Sequence, residues 1–195
     1  MMPYRRALVL AVLLALAPGL PNGALAGEPT DQLRSEIDQL YRALQQPAPS
    51  RNGEREARDV LDRMFDWTRM AEASLRGHWQ QRTAAERAEF TGLFADLFRR
   101  VYVSRIHVVD ASKFQYLGDV IDRERATVNT KILTKQGSAI DVDYAVRLGD
   151  GQRWRVQDVR VEQVSLIDNY RTQFNTFIGR TSYEALVQKL RGMAK

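Results

Sequence analysis

The sequence predicts an α+β fold: a twisted four-stranded antiparallel sheet covered on one face by helices. Three observations predict it. Apolar residues recur at spacings of three and four up to about residue 106, alternate with polar ones between Phe114 and Val156, and return to helical spacing after Ser165. The alternation is one-sided, as in antiparallel strands with one wet face. Turn-forming pairs separate the alternating runs. Helices, then strands, then helices give the α+β class.

The chain opens with Arg5 and Arg6, an apolar run of about 11 residues from Ala7 to Ala17, a breaker stretch containing Pro18, Gly19 and Pro21, and then Ala24-Leu25-Ala26. This order is that of a secretory signal peptide, with cleavage expected after Ala26. The run is too short for a span, which needs roughly 20 residues. Residues 1–26 are therefore read as a signal peptide and 27–195 as a single soluble domain of the periplasm. No cysteine follows the run to carry a lipid anchor.

A first helix is expected from about Asp31 to Gln46, with Leu33, Ile37, Leu40, Tyr41 and Leu44 on one face. Pro47 to Gly53 read as a breaker loop. A second helix follows from about Glu54 to Phe65, and Asp66 caps a short one from Trp67 to Leu75 that Gly77 ends. Thr83 and Glu86 form a capping box, in which each side chain satisfies an orphan backbone donor of the other. They open the longest helix, about Ala84 to Ile106, with Phe90, Leu93, Phe94, Leu97, Phe98, Val101 and Tyr102 on its inner stripe. The strands centre on Phe114–Tyr116, Val128–Ile132, Ile140–Leu148 and Trp154–Val156. Turns are expected at Asp122-Arg123, Gln136-Gly137 and Gly149-Asp150-Gly151. Ser165 caps a helix to about Ile178 carrying Ile167, Tyr170, Phe174 and Phe177 inward, and a last helix runs from about Ser182 to Arg191.

Composition narrows the chemistry. There is no cysteine, so neither disulfides nor thiolate chemistry arise, and the two histidines, His78 and His107, lack ligand spacing. No metal and no cofactor are expected. The formal charge of +5 is carried mostly by Arg interspersed with acids, and falls by two when Arg5 and Arg6 are removed. Such a surface tolerates anionic membranes, and outside the cytoplasm no nucleic acid is expected as partner. An enzyme reading would need a pocket acid or base. Asp143 and Tyr144 are adjacent in an alternating strand, so one faces water when the other faces in. No nucleophile elbow or phosphate loop occurs, and no catalytic residue is assigned.

The apolar sheet face and the aromatic stripe require each other, and they either fill one core or leave a pocket between them. Three segments bear on that choice. They are Phe65-Asp66-Trp67-Thr68-Arg69-Met70-Ala71 with Leu75, Gly77 and Trp79; ERAEFTGLFADLFRRVY from Glu86 to Tyr102; and WRVQDVRVEQVSLIDNYRTQFNTFI from Trp154 to Ile178. Together they resemble the MlaC family of periplasmic phospholipid-binding proteins, also called toluene-tolerance auxiliary proteins, and the similarity spans nearly all of the mature chain. The resemblance implies a sheet akin to the nuclear-transport-factor-two shape and a deep apolar cavity holding both lipid tails. It implies phospholipid as cargo, carried between an outer-membrane lipoprotein complex and an inner-membrane ABC transporter with an MCE-domain subunit. Hopanoid-associated members point to a hopanoid as the other cargo. A monomer is expected. A protein that regulates a transporter through the same fold, with a filled core and no cargo, is the competing class.

By resemblance and inward phase, the expected lipid-lining residues are Phe90, Phe94, Phe98, Val101, Val128, Ile132, Val142, Tyr144, Trp154, Tyr170 and Phe174; each reads equally as plain core. Arg171 either pairs with a lipid phosphate through its planar fork or forms a structural ion pair with Asp158 or Asp168. Arg99, Arg100 and Arg105 read as solvated residues or as a rim facing a membrane or partner. The family's Leu-Gly before Trp is here Leu75-Arg76-Gly77-His78-Trp79, and its Gly-rich junction is shortened to Gly179-Arg180-Thr181-Ser182. Both departures bear on the docking surface.

Overall fold

The computed structural model describes residues 28–44, 51–106, 114–133 and 137–193. The expected signal peptide, positions 47–50 of the loop expected at Pro47 to Gly53, His107 and the turn residue Gln136 lie outside these. Five helices come first: α1 (Glu28–Leu44), α2 (Arg51–Met64), α3 (Trp67–Leu75), α4 (Gly77–Gln80) and α5 (Ala84–Ile106). A sheet follows, made of β1 (Phe114–Asp122), β2 (Arg125–Leu133), β3 (Ala139–Leu148), β4 (Trp154–Val161) and β5 (Val164–Ser165), and then α6 (Leu166–Arg180) and α7 (Tyr183–Met193).

The sheet is an antiparallel meander in the order β1-β2-β3-β4-β5. It has five strands among the described residues, not the four expected. The extra strand, β5, is two residues long, too short to show alternation. It arises because Glu162 and Gln163 take φ of 49° and 65° and fold Val164 back onto Val161. Two positive φ values make the tight turn whose twist suits a hairpin. Ser165 closes β5 and also caps α6, accepting the Asp168 N–H at 3.0 Å.

Local signals position the helices as read. Asp66 accepts the Arg69 N–H at 3.1 Å. In the capping box, the Thr83 N–H donates to Glu86 Oε2 at 2.7 Å and the Glu86 N–H donates to Thr83 Oγ1 at 3.3 Å. The bonds from Thr83 hold the Glu86 carboxyl below its ordinary value. Two boundaries differ. Arg51 to Gly53 are the first turn of α2, not loop. Gly77 does not end α3 but opens α4; the corner is Arg76, with φ 48°, whose N–H donates to Glu72 O at 2.8 Å.

The helices pack over one face of the sheet, where Val128, Val142, Tyr144, Val146, Val156 and Val159 are buried. The layers are stitched at the end of α2. Phe65 forms a parallel bridge to Val156, Asp66 N–H donates to Val156 O at 2.9 Å, and Arg155 donates to the carbonyls of Asp62 and Phe65 at 2.9 and 2.5 Å. These bonds satisfy carbonyls that a helix end leaves without partners. At the other end of the layer, Gln32 of α1 brackets Trp154. It accepts the Trp154 N–H at 3.0 Å and donates to Trp154 O at 2.6 Å. One expectation on the opposite sheet face fails: Asp143 does not face water but is buried, accepting from Asn129 at 2.9 Å and Gln163 at 3.3 Å. The turn that creates β5 brings Gln163 over it.

Candidate functional site

The interior between α5 and the sheet is built from rings. Phe90, Phe94 and Phe98 recur every fourth residue of α5 and are buried. Helical residues four apart stand one above another on the same face, so the three form a row. The row continues at one end into Tyr102, 5.9 Å from Phe98, with Phe65 in edge contact at 5.4 Å. The other side of the row meets α6. Tyr170 lies 5.5 Å from Phe94 and Phe174 lies 5.8 Å from Phe90, both edge-on. Each such pair contributes about 0.5–1.5 kcal/mol beyond its buried area.

At the Tyr102 end the row becomes polar. The hydroxyls of Tyr102 and Tyr144 lie 3.2 Å apart. Burial pushes Tyr102 up to about 12, and the Tyr144 phenol is raised well above its ordinary value by burial and by the neighbouring phenols of Tyr102, Tyr116 and Tyr41. At the α6 end the row surfaces. Tyr170 and Phe174, with Leu97 of α5, Phe177 of α6 and Leu186 and Leu190 of α7, wall a groove of about 440 Å³ rimmed by Arg180 and Lys189. The Lys189 ammonium sits 4.8 Å over the Phe177 ring.

A second hollow of about 490 Å³ is polar, lined by Arg69, Arg76, Arg125, Arg147 and Glu72 among others. It touches none of the residues expected from the sequence to hold lipid. Among the described residues no cluster of His, Asp or Glu could hold a metal ion, and no helix is long and apolar enough to cross a membrane.

The structure brings most of the expected lining residues into one body. Phe90, Phe94, Phe98, Val128, Ile132, Val142, Tyr144, Trp154 and Phe174 are buried together, and Tyr170 is partly buried against them. Val101 is not on the inner stripe: it stands 41% exposed. Of the two residues read as inward after Phe98, Tyr102, four residues on, holds the inward position and stacks on Phe98. Arg171 is held structurally. Its Nε donates to Ala73 O at 2.8 Å and its Nη1 pairs with Asp168 at 2.6 Å, which clasps α6 to α3. Asp158 instead accepts the Ile167 N–H at 3.2 Å. Arg99 is neither rim nor solvated: it pairs with Asp62 and with Asp96 at 2.8 Å, and covers Trp67 at 5.0 Å. Arg100 is exposed, and the side chain of Arg105 lies outside the described part. The groove residue Phe177 was legible as inward, but only the placement of α7, with Leu186 and Leu190, makes it a wall of an opening. Arg180 and Lys189 carried no signal beyond their charge.

The Asp143 and Tyr144 side chains lie on opposite faces of the sheet, the first on Asn129 and Gln163 and the second on Tyr102. The geometry therefore separates the acid and phenol that an enzyme reading would pair.

The family model for the MlaC protein matches residues 34–192. The chain belongs to the MlaC family. A comparison with curated proteins gives no significant match. Among solved structures, this MlaC-family chain is similar to the phospholipid-binding protein from Ralstonia solanacearum, determined in complex with a phospholipid. The TM-score is 0.70 and the identity 19%, over 86% of this chain and 97% of that one. At that identity the match establishes the shared fold, which is the α+β arrangement described above.

Proposed function

We propose that residues 27–195 form a single-domain periplasmic carrier, freed by cleavage after Ala26, that binds one phospholipid and moves it between the outer and inner membranes. The observation that carries this reading is the ring row of α5, which runs through the body and reaches the surface at Tyr170 and Phe174. Acyl chains lie along this row when the helical layer parts from the sheet. Membership of the MlaC family supports lipid transport, and the Ralstonia protein of the same fold binds a phospholipid. No catalytic step is part of this function.

The energetics fit a carrier that trades with docked partners. Shielding an acyl chain from water is worth about 0.8 kcal/mol per methylene, and a bilayer offers nearly the same. The carrier holds lipid firmly against water and only narrowly against a membrane. Exchange therefore takes place on partners: an inner-membrane ABC transporter with an MCE-domain subunit and an outer-membrane lipoprotein complex.

Native mass spectrometry of the mature protein, purified without detergent and incubated with phospholipid vesicles, tests the proposal. A stoichiometric adduct of phospholipid mass is expected. A hopanoid-sized adduct from the native host would move the cargo to that class. A clean unliganded mass after incubation would overturn the carrier reading and favour a filled-core partner of a transporter. Tyr170→Ala is expected to lower loading several-fold, because it removes the ring joining the interior row to the groove. Unchanged loading would place the path elsewhere.

A further inference from the structure

The tyrosines at the end of the ring row hold more hydrogen-bond donors than the described residues provide acceptors for. Tyr102 and Tyr144 share one bond, at 3.2 Å. One hydroxyl donates, and the proton of the other has no acceptor among the described residues. Tyr116 adds a third donor. Its hydroxyl is buried and has no partner among the described residues. Strand register brings it into the same space. Tyr116 pairs with Thr130, Thr130 pairs with Val142, and Tyr144 lies two residues along that strand on the same face. Thr130 itself is satisfied, its hydroxyl donating to Val142 O at 2.5 Å.

Buried hydroxyls without acceptors are costly, and folded proteins rarely keep them without a reason. These three stay protonated, because burial opposes ionisation of each, and for Tyr116 and Tyr144 the neighbouring phenols oppose it as well. They form a neutral donor group in apolar surroundings, suited to a neutral acceptor. A phosphate would lose too much hydration there; a carbonyl oxygen would not.

The surroundings differ on the two sides of the tyrosines. Over the Tyr116 ring, at 4.7 Å, stands the Arg34 guanidinium, which also pairs with Asp31 at 3.8 Å, with the Asp38 carboxylate nearby. Inside Tyr102 follow Phe98, Phe94 and Phe90, which are apolar throughout. Cation, neutral donors and hydrocarbon succeed one another in the order of phosphate, ester and acyl chain in a glycerophospholipid.

Building on the carrier reading, we propose that Tyr102, Tyr116 and Tyr144 donate hydrogen bonds to the ester carbonyl oxygens of the bound lipid. They thereby fix its depth and direction, with the phosphate toward Arg34 and the chains along the α5 row. The site selects diester over diether glycerolipids, since an ether oxygen is a weaker acceptor placed differently along the chain.

Competition loading tests this. The mature protein is incubated with vesicles containing equal amounts of a diester phosphatidylglycerol and a diether phosphatidylglycerol of matched chain length, and bound lipids are weighed by native mass spectrometry. The wild type is expected to load the diester in about five-fold excess, and the triple variant Tyr102→Phe, Tyr116→Phe, Tyr144→Phe to load both equally. Equal loading by the wild type would overturn the proposal while leaving the carrier intact. Loading of neither lipid would overturn the carrier reading itself. Preference retained in the triple variant would show that the hydroxyls hold only water. Should that variant fail to fold, Tyr116→Phe removes a hydroxyl that bonds nothing among the described residues and is expected to keep full stability with a reduced preference. The ester carbonyl stretch of loaded lipid, read in the infrared, should move to lower frequency than in vesicles. An unmoved band would refute the contact.

Discussion

Truncating Phe94 to alanine is expected to lower the free energy of unfolding by about 3–5 kcal/mol. The ring is fully buried and has four aromatic neighbours: Tyr170 at 5.5 Å, Phe98 at 6.1 Å, Phe90 at 6.3 Å and Phe174 at 6.4 Å. All four of these rings are themselves held by further aromatic partners, so the surroundings cannot collapse fully into the space. The loss would be a large share of the roughly 5–15 kcal/mol that holds a domain together. Urea unfolding of lipid-free protein should show a lower midpoint at an unchanged slope. A loss below about 1 kcal/mol would mean that the ring borders open space in the lipid-free protein and that the row is a standing cavity. Phe94→Leu keeps most of the volume and should cost far less.

The second large effect lies at the junction of α1 and the β3–β4 turn. Glu36 is buried, and Arg153, half exposed, reaches it at 2.6 Å. Burial pushes the Glu36 carboxyl above 4.5, with Arg153 and Gln32 opposing the rise. Arg153→Ala leaves the carboxylate buried without its cation and is expected to cost about 2 kcal/mol at neutral pH. Loss of a partner from a deeply buried pair costs more, but water reaches Arg153 and screens the pair. The pH dependence identifies the cause. A carboxyl whose folded value is raised binds its proton more tightly in the native state, so its contribution to stability falls as pH rises from 4.5 through the folded value. In the variant that window extends to higher pH. Below 4.5 the group is protonated in both states, and most of the difference between variant and wild type should vanish. Thermal midpoints measured from pH 3 to pH 8 check this. A difference that does not change with pH would assign the loss to packing.

The elements that depend on neighbours in sequence were readable from it. The Thr83–Glu86 capping box, the stripe of α1 and the alternation of β3 are local patterns, and each appears where its residues place it. What depends on distant contact was not readable. Asp143 alternates correctly away from Tyr144, yet it is buried because Gln163 folds over it from a turn twenty residues on. Three partners were open for Arg171: a lipid phosphate, Asp158 and Asp168. The choice of Asp168, together with the Ala73 carbonyl, rests on how α3 meets α6. The lining residues illustrate the same division. Phe90, Phe94 and Phe98 follow from helix period alone, whereas Val101 and Tyr102 are both compatible with that period. Only the position of Phe65 and Tyr144 gives the inward place to Tyr102. The tyrosine donors went unremarked as a group because they come from α5, β1 and β3 and meet only through strand register.

The meander has a consequence for the order of assembly. Strands adjacent in the sheet are adjacent in the chain, so each hairpin closes over few intervening residues at small entropic cost. Docking of α1 is different. Its amide at Thr30 reaches Asp119 across 89 positions, and Gln32 reaches Trp154 across 122. Such contacts form only after the intervening chain is ordered, so α1 is expected to close on the sheet after the rate-limiting step. Weakening that latch, as in Gln32→Ala, should leave the refolding rate nearly unchanged and speed unfolding. Stopped-flow refolding and unfolding limbs would separate the two rates, and a slowed refolding limb would place α1 in the nucleus.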